Sequence, residues 1–161
     1  MRIGVPKEIK PQENRIGLTP DSVKTLVSEG HEVLVENNGG FEAGFDNDQY
    51  KNAGAKIIEK AADIFNDAEI IVKVKEPQKV EVEMIRENQI VYTYLHLAAA
   101  KELTEGLVKS KSINIAYETI TDDNGRLPLL APMSAVAGRL SVQAGAPVSY
   151  THLRAHETNS N

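Results

Sequence analysis

Three polar side chains, Arg15, Lys75 and His96, have the types and spacing needed to act together on a small acidic substrate. A guanidinium grips a carboxylate through two parallel hydrogen bonds, an ammonium can polarise a carbonyl oxygen, and an imidazole moves protons near neutral pH. Lys75 and His96 each fall at the end of an apolar run of strand length, and Arg15 lies in a polar segment after the first strand. Ligands collect outside the carboxyl ends of strands in an open parallel sheet. We therefore expect the three side chains to meet one substrate.

Each of these residues also has a simpler interpretation. Lys73 and Lys75 alternate with valines, so both could be solvated lysines on a half-exposed strand. His96 lies between two leucines and could be a buried histidine bonded to the backbone, and Arg15 alone could be a solvated surface residue. The predicted strand ends favour the functional interpretation, and Pro77 supports the one after Lys75.

The elements that would position these residues alternate along the chain. Thr19, Pro20 and Asp21 predict a helix start, with threonine as the N-cap, and Gly30 predicts its end. Apolar runs predict strands at 2–5, 31–36, 56–58, 69–77, 91–98 and 113–117, with helices between them and a further helix at 133–146. This alternation is typical of βαβ units. The predicted fold class is α/β: a doubly wound, mostly parallel sheet with helices on both faces.

Composition narrows the class of protein. The chain has 161 residues, 41% of them hydrophobic and 25% charged, which is typical of a globular domain. The net charge of −5 is spread along the chain, so there is no basic stripe for nucleic acid. No apolar run is long enough for a membrane span, and cysteine is absent. We expect a cytoplasmic protein with no nucleic-acid or membrane partner.

Two recurrent site types are not indicated. His152 and His156 have a spacing that could chelate a metal on a helix, but no further ligand lies near them in the sequence, so no metal site is expected. The glycines at 39, 40 and 44 superficially suggest a phosphate loop. However, the chain contains neither G-x-G-x-x-G nor G-x-x-x-x-G-K-[ST], so no nucleotide fingerprint is present.

Several motifs together resemble the N-terminal part of bacterial alanine dehydrogenase. They occur in the family's order, are jointly highly specific, and cover residues 1 to about 146. The motifs are Met1–Lys10, Glu13–Arg15, Leu18–Pro20, Val72–Pro77, Tyr94–Ala98 and Leu130–Ser134.

The resemblance implies NAD-dependent, reversible oxidative deamination of L-alanine to pyruvate and ammonia. It implies that Arg15 binds the substrate carboxylate, that Lys75 contacts the carboxylate or keto oxygen, and that His96 is the general acid and base. Tyr94 and Met133 would line the pocket. Ser134 would touch the phosphates of NAD. The intact enzymes of this family are homo-oligomers, typically hexamers.

The resemblance also implies that the chain is a truncated fragment. Residues 1–129 would be the catalytic, substrate-binding domain, and residues 130–146 would begin the helix that leads to an NAD-binding Rossmann domain missing here. Residues 147–161 resemble a translated adapter peptide, so we expect them to be a non-native tail. Because the nicotinamide-holding domain is missing, we expect the chain alone to have no dehydrogenase activity.

Two alternatives remain open. The chain could be a fragment of the alpha subunit of proton-translocating nicotinamide nucleotide transhydrogenase, which shares the opening strand, the Arg15 region and the lysine strand. His96 favours the dehydrogenase over that relative. The chain could also be a non-catalytic module that binds a small carboxylate.

Overall fold

A computed structural model of the protein describes residues 1–157, with side chains as far as residue 146. Residues 158–161, the end of the predicted tail, lie outside the described residues. The chain divides into two compact units, one comprising Met1–Tyr117 and the other beginning at Glu118.

The first unit is built on one six-stranded sheet in which every neighbouring pair of strands is parallel. The strand order is β3-β2-β1-β4-β5-β6. The strands are β1 (Arg2–Val5), β2 (Glu32–Glu36), β3 (Lys56–Ile58), β4 (Ile70–Val72), β5 (Ile90–Thr93) and β6 (Ile113–Ala116). This order places β1 and β4 side by side at the centre, with β1–β3 on one half and β4–β6 on the other.

An α-helix connects each pair of successive strands, and some connections also contain a short 3₁₀ turn. The helices are α1 (Pro20–Ser28), α2 (Asn47–Asn52), α3 (Ala61–Asp67), α4 (Lys79–Val82) and α5 (Lys101–Ser110). The start of α1 is as predicted: the hydroxyl of Thr19 accepts a hydrogen bond from the backbone N–H of Ser22. Gly30 follows the helix with a φ of +83°, a conformation that favours glycine.

Both faces of the sheet are covered, which confirms the predicted doubly wound fold. Successive residues of β2 point to opposite faces, so Val33 and Val35 join one core cluster and Leu34 joins the other. Val23 of α1 and Tyr50 of α2 belong to the first cluster. The second cluster contains residues of α3 and α5, namely Ile64, Phe65 and Leu107.

The second unit contains one long helix, α6 (Ala131–Glu157). It begins near the predicted helix at 133–146, and its backbone continues into the predicted tail, because backbone hydrogen bonding does not require an apolar face. Val136 and Leu140 on this helix are more than half exposed. Among the helices that the structure describes, none is long and apolar enough to cross a membrane.

Candidate active site

The candidate site lies at the carboxyl edge of the sheet, beside β1 and β4. From β1 the chain builds one half of the sheet outward, and from β4 it builds the other half in the opposite direction. Ligands in open α/β sheets bind at such a switch point in strand order. The loops that leave at this edge after β1, β4 and β5 are residues 6–19, 73–78 and 94–100. They carry Arg15, Lys75 and His96, respectively.

Two residues that follow Arg15 anchor the first of these loops to the core. Ile16 is buried in the first core cluster. The carbonyl oxygen of Leu18 accepts a hydrogen bond of 2.9 Å from the hydroxyl of Tyr50. A polar loop that could otherwise move is thus attached to α2 and the sheet.

Gly17 brings the same loop into contact with the backbone at the end of β4. A Cβ atom at this position would lie 2.6 Å from the carbonyl oxygen of Val72, which is too close for any side chain. Glycine therefore allows the loop of Arg15 to lie directly on the segment that leads to Lys75.

Arg15 forms a two-pronged ion pair with Glu13. Its Nε lies 2.7 Å from Oε1 and its Nη2 lies 2.6 Å from Oε2 of the carboxylate. This hydrogen bonding lowers the pKa of Glu13 against the effect of partial burial, and the charge of Lys75 lowers it further. The same pairing raises the pKa of Arg15. One carboxylate is therefore within electrostatic reach of both cations.

Lys75 lies beyond the end of β4, which the structure places at Val72 and not at the end of the predicted strand. The carbonyl oxygen of Lys75 accepts a hydrogen bond of 2.9 Å from the hydroxyl of Thr93. Its half-buried ammonium has no hydrogen bond or ion pair with any residue that the structure describes. The charge of Lys75 nevertheless helps to lower the pKa of Glu13.

Lys73 has a different environment from Lys75, so the interpretation as two solvated lysines is wrong for this residue. Its side chain is 1% exposed, and its Nζ lies 3.1 Å from Oε2 of Glu8 and 2.8 Å from Oε1 of Glu81. The carboxylates are equally buried. We call these three residues the buried triad. Burial raises the pKa of Glu81, and the charge of Lys73 partly opposes that rise.

His96 is exposed, which excludes its interpretation as a buried core histidine. Its backbone has the left-handed conformation, with φ 50° and ψ 39°. Few residues other than glycine adopt this conformation, and strained backbone of this kind clusters at functional sites. The imidazole stacks on the ring of Tyr94, with centroids 6.2 Å apart and planes 17° apart.

Tyr94, whose ring stacks on His96, is buried. Its ring packs edge-on against Tyr117, with centroids 4.9 Å apart. Burial raises the pKa of Tyr117, so that hydroxyl keeps its proton at neutral pH. The charge of Tyr94 also contributes to raising the pKa of Arg15, after the larger effects of Glu13, so the two side chains are within electrostatic reach of each other.

Glu76 adds a carboxylate close to His96. Burial raises its pKa, but its ion pair with Lys10 and the charge of His96 lower it, and the net shift is downward. The structure thus assembles Arg15, Lys75, Tyr94 and His96 at one edge of the first unit.

Met133 and Ser134 belong to the second unit. Both lie in the first turn of α6, Met133 partly buried and Ser134 exposed. The backbone N–H of Ser134 donates to the carbonyl oxygen of Leu130 at 3.1 Å.

The buried triad and Glu13 are absent from the residues that sequence patterns single out. Glu8 and Glu13 have no distinctive spacing, and Lys73 is indistinguishable from Lys75 by alternation. One signal for Lys73 was available. A central parallel strand is buried on both faces, so a lysine next to its end must find a buried partner.

Comparisons with known proteins agree on one family. Residues 4–137 match the family described as alanine dehydrogenase/PNT, N-terminal domain. An alanine dehydrogenase of Staphylococcus epidermidis is 51% identical over 146 residues, which is 91% of this chain and 39% of that protein. The chain thus spans about two fifths of the length of the curated relatives that it matches.

Solved structures show the same relationship. A structure titled L-alanine dehydrogenase has a TM-score of 0.86 and 53% identity, covering 91% of this chain and 40% of its own. A transhydrogenase from Sinorhizobium meliloti has a TM-score of 0.70 and 28% identity, covering 74% of this chain and 36% of its own. Of these two structures, the alanine dehydrogenase is therefore the more similar in both fold and sequence.

Proposed function

The chain belongs to the family of alanine dehydrogenase/PNT N-terminal domains, and from this premise we propose that it forms the substrate-binding part of an alanine dehydrogenase. The whole protein would interconvert L-alanine with pyruvate and ammonia, using NAD. The observation that carries the proposal is the assembly of a guanidinium, an ammonium and an imidazole around Glu13 and Tyr94 at the switch point of the sheet.

Arg15 and Lys75 would hold the substrate. The guanidinium carries several N–H donors, of which Glu13 takes those on Nε and Nη2. A substrate carboxylate would bind beside Glu13 at this guanidinium. The ammonium of Lys75 would then face the carboxylate or the keto oxygen and stabilise negative charge that develops there.

His96 would transfer protons. When ammonia adds to C2 of pyruvate, the imidazolium would give a proton to the former keto oxygen, and the neutral imidazole would take one from nitrogen. The imidazolium formed in that step would protonate the same oxygen again, which would release water and leave the protonated imine. The exposed position of His96 would allow it to exchange protons with solvent between steps.

Tyr94 and Met133 would line the pocket, and Ser134 would contact the phosphates of NAD. Support for Tyr94 is the stacking of its ring on His96 and its electrostatic effect on Arg15. The roles of Met133 and Ser134 stay predictions, based on the resemblance of Leu130–Ser134 to the family.

The first unit itself does not fit a dinucleotide. In a nucleotide-binding sheet, the turn after the first strand is rich in glycine and precedes a helix that receives the pyrophosphate. Here Gly17 is the one glycine in the loop after β1, and Asp21 lies in the first turn of α1. The carboxylate of Asp21 would repel a phosphate at that helix end. We therefore propose that the main NAD-binding domain belongs to the length of the relatives that this chain does not span.

The homo-hexamer and the cytoplasmic location stay predictions for the whole protein. A transhydrogenase role is less favoured because such a protein exchanges hydride between nucleotides and needs no pocket for a keto acid. A non-catalytic module would bind the same ligand, so proton transfer by His96 is the property that separates it from the enzyme.

Pyruvate binding by the full chain tests the proposal. We expect saturable NMR shift changes at the backbone of Arg15, Lys75, Tyr94 and His96. Arg15→Lys and Lys75→Met should abolish them. Arg2→Lys is the matched control, because Arg2 also pairs with a glutamate but lies at the opposite end of β1. Absence of saturation, or equal effects of the Arg2 and Arg15 substitutions, would contradict the proposal.

The enzyme and the binding module differ in one further experiment. In the complete reading frame, His96→Asn should retain pyruvate binding but lose turnover by orders of magnitude, since asparagine tolerates the left-handed backbone but cannot transfer the proton. Unchanged turnover in this variant would contradict the role of His96.

A further inference from the structure

The buried triad contains one more carboxylate than charge balance requires. Either carboxylate alone could neutralise Lys73, since its Nζ lies 2.8 Å from Oε1 of Glu81 and 3.1 Å from Oε2 of Glu8, and all three side chains are at most 2% exposed. Burying a further carboxylate costs free energy unless it is well hydrogen-bonded. The presence of Glu8 therefore calls for a reason other than neutralising Lys73.

That reason lies in the second oxygen of Glu8. While Oε2 contacts Lys73, Oε1 accepts hydrogen bonds from the backbone N–H of Val74 at 2.6 Å and of Lys75 at 3.4 Å. Pairing between β1 and β4 stops at Gly4 and Ile71. Beyond that point, the carboxylate supplies the acceptor that a continued β1 would have supplied.

The other side of the same segment is attached to β5. The backbone N–H of Lys73 donates to the carbonyl of Tyr92 at 3.1 Å, and that of Tyr94 donates to the carbonyl of Val74 at 3.3 Å. The hydroxyl of Thr93 donates to the carbonyl of Lys75. The backbone of Lys75 is therefore held between Glu8 on the β1 side and Thr93 on the β5 side.

We propose that Glu8 is a positioning residue for the substrate-binding lysine: its buried carboxylate fixes the backbone of Val74 and Lys75, so that the ammonium of Lys75 faces the substrate. Lys73 and Glu81 keep this carboxylate in place from the side of α4. The inference rests on the proposed function for the role of Lys75, and on the structure alone for the restraint of its backbone.

Two alanine variants of the full chain separate this role from general stability. Glu8→Ala and Glu81→Ala each remove one carboxylate from the same lysine at the same burial. Of the two, Glu8 accepts hydrogen bonds from the backbone of Val74 and Lys75, whereas Glu81 accepts one from the backbone of Gln78 at the start of α4. Amide hydrogen exchange would be measured by NMR at Val74 and Lys75. The fold-change in exchange rate relative to the wild type would be divided by the fold-change at Val91, a fully buried residue of β5, to correct for a general loss of stability. Pyruvate affinity would be measured by titration of the same samples.

We expect Glu8→Ala to accelerate the normalised exchange at both amides by about tenfold, as for loss of a hydrogen bond to a charged acceptor. Pyruvate binding should weaken by a similar factor. Glu81→Ala should leave both quantities within about twofold of the wild type, whatever its stability. Glu8→Gln, which keeps an amide oxygen as acceptor, should restore much of the protection. If Glu8→Ala does not fold, Glu8→Met is compared with Glu81→Met, because methionine fills a similar volume without a carboxyl oxygen, and faster exchange only in the former supports the inference.

The outcomes are distinct. Equal normalised exchange rates in Glu8→Ala and Glu81→Ala overturn the inference. It is also overturned if Glu8→Ala exchanges faster but binds pyruvate with unchanged affinity. If the wild type binds no pyruvate, the proposed function fails. The exchange at Val74 and Lys75 then decides alone whether Glu8 restrains the segment.

Discussion

Replacing Lys73 with methionine should destabilise the protein far more than removing any exposed lysine. Methionine nearly fills the space of the lysine stem, so the change chiefly removes the cation from between Glu8 and Glu81. Its Nζ lies 3.1 Å from one carboxylate and 2.8 Å from the other, and all three side chains are at most 2% exposed. Two buried carboxylates would then face each other without a counter-charge.

The expected loss in the free energy of unfolding is about 3–5 kcal/mol at pH 8, the usual effect of removing one partner from a buried ion pair. That is a large part of the roughly 5–15 kcal/mol that stabilises an ordinary domain. At pH 5 the loss should be smaller. Burial raises the pKa of Glu81 already in the wild type, and a carboxyl group that takes up a proton no longer repels its neighbour.

The assay is equilibrium unfolding in guanidinium chloride, followed by far-UV circular dichroism at both pH values. Lys56→Met is the matched control. Lys56 also contacts a glutamate oxygen, at 2.6 Å, but its side chain is 69% exposed, and such surface pairs add little stability. If the two variants lose equal stability, or if the loss for Lys73→Met grows as the pH falls, the reasoning about the buried triad is wrong.

Three further outcomes are expected. Gly17→Ala should destabilise the full chain by about 1–3 kcal/mol in the same denaturation assay, because the new methyl group would collide with the carbonyl of Val72. Pyruvate affinity should fall as well. Wild-type stability and affinity in this variant would contradict the contact between Gly17 and Val72. Glu81→Gln should flatten the pH dependence of stability above about pH 4.5: the folded wild type retains a proton on Glu81 that the unfolded chain releases above its ordinary pKa of 4.5, so stability falls as pH rises through that window. A pH profile parallel to the wild type would count against a raised pKa for Glu81. The purified full chain, mixed with L-alanine and NAD, should produce no NADH when absorbance is followed. If NADH is detected, the main NAD-binding domain does not lie in the part of the relatives that this chain does not span.

Alternation of apolar runs with helix patterns was enough to predict the fold. Strands such as β2 are apolar on both faces because helices cover both, and Thr19 and Gly30 mark the ends of α1 through local hydrogen bonding and backbone conformation. The ends of β4 were predicted less well. The apolar run continues to Val74, but pairing with β1 stops at Gly4 and Ile71, shortly before Pro6 interrupts the neighbouring chain.

The candidate site was only partly predictable for a related reason. Arg15, Lys75 and His96 stand out because their chemistry is unusual for strand ends and because their motifs resemble a family. The ion pairs of Glu13 and of the buried triad depend on which loops meet at the switch point. Composition and periodicity carry no information about contacts between positions 65 residues apart, such as Glu8 and Lys73.

The long sequence separation between Glu8 and Lys73 has a consequence for how the protein folds. Contacts between distant positions must overcome the entropy of closing a long loop, so we expect this ion pair to form after the intervening β2 and β3 units and together with the β1–β4 pairing. Competence to bind a ligand should then appear late in refolding, after most secondary structure. Ligand binding would thus report completion of the central sheet, and a nascent chain that ends before β4 would not bind the ligand.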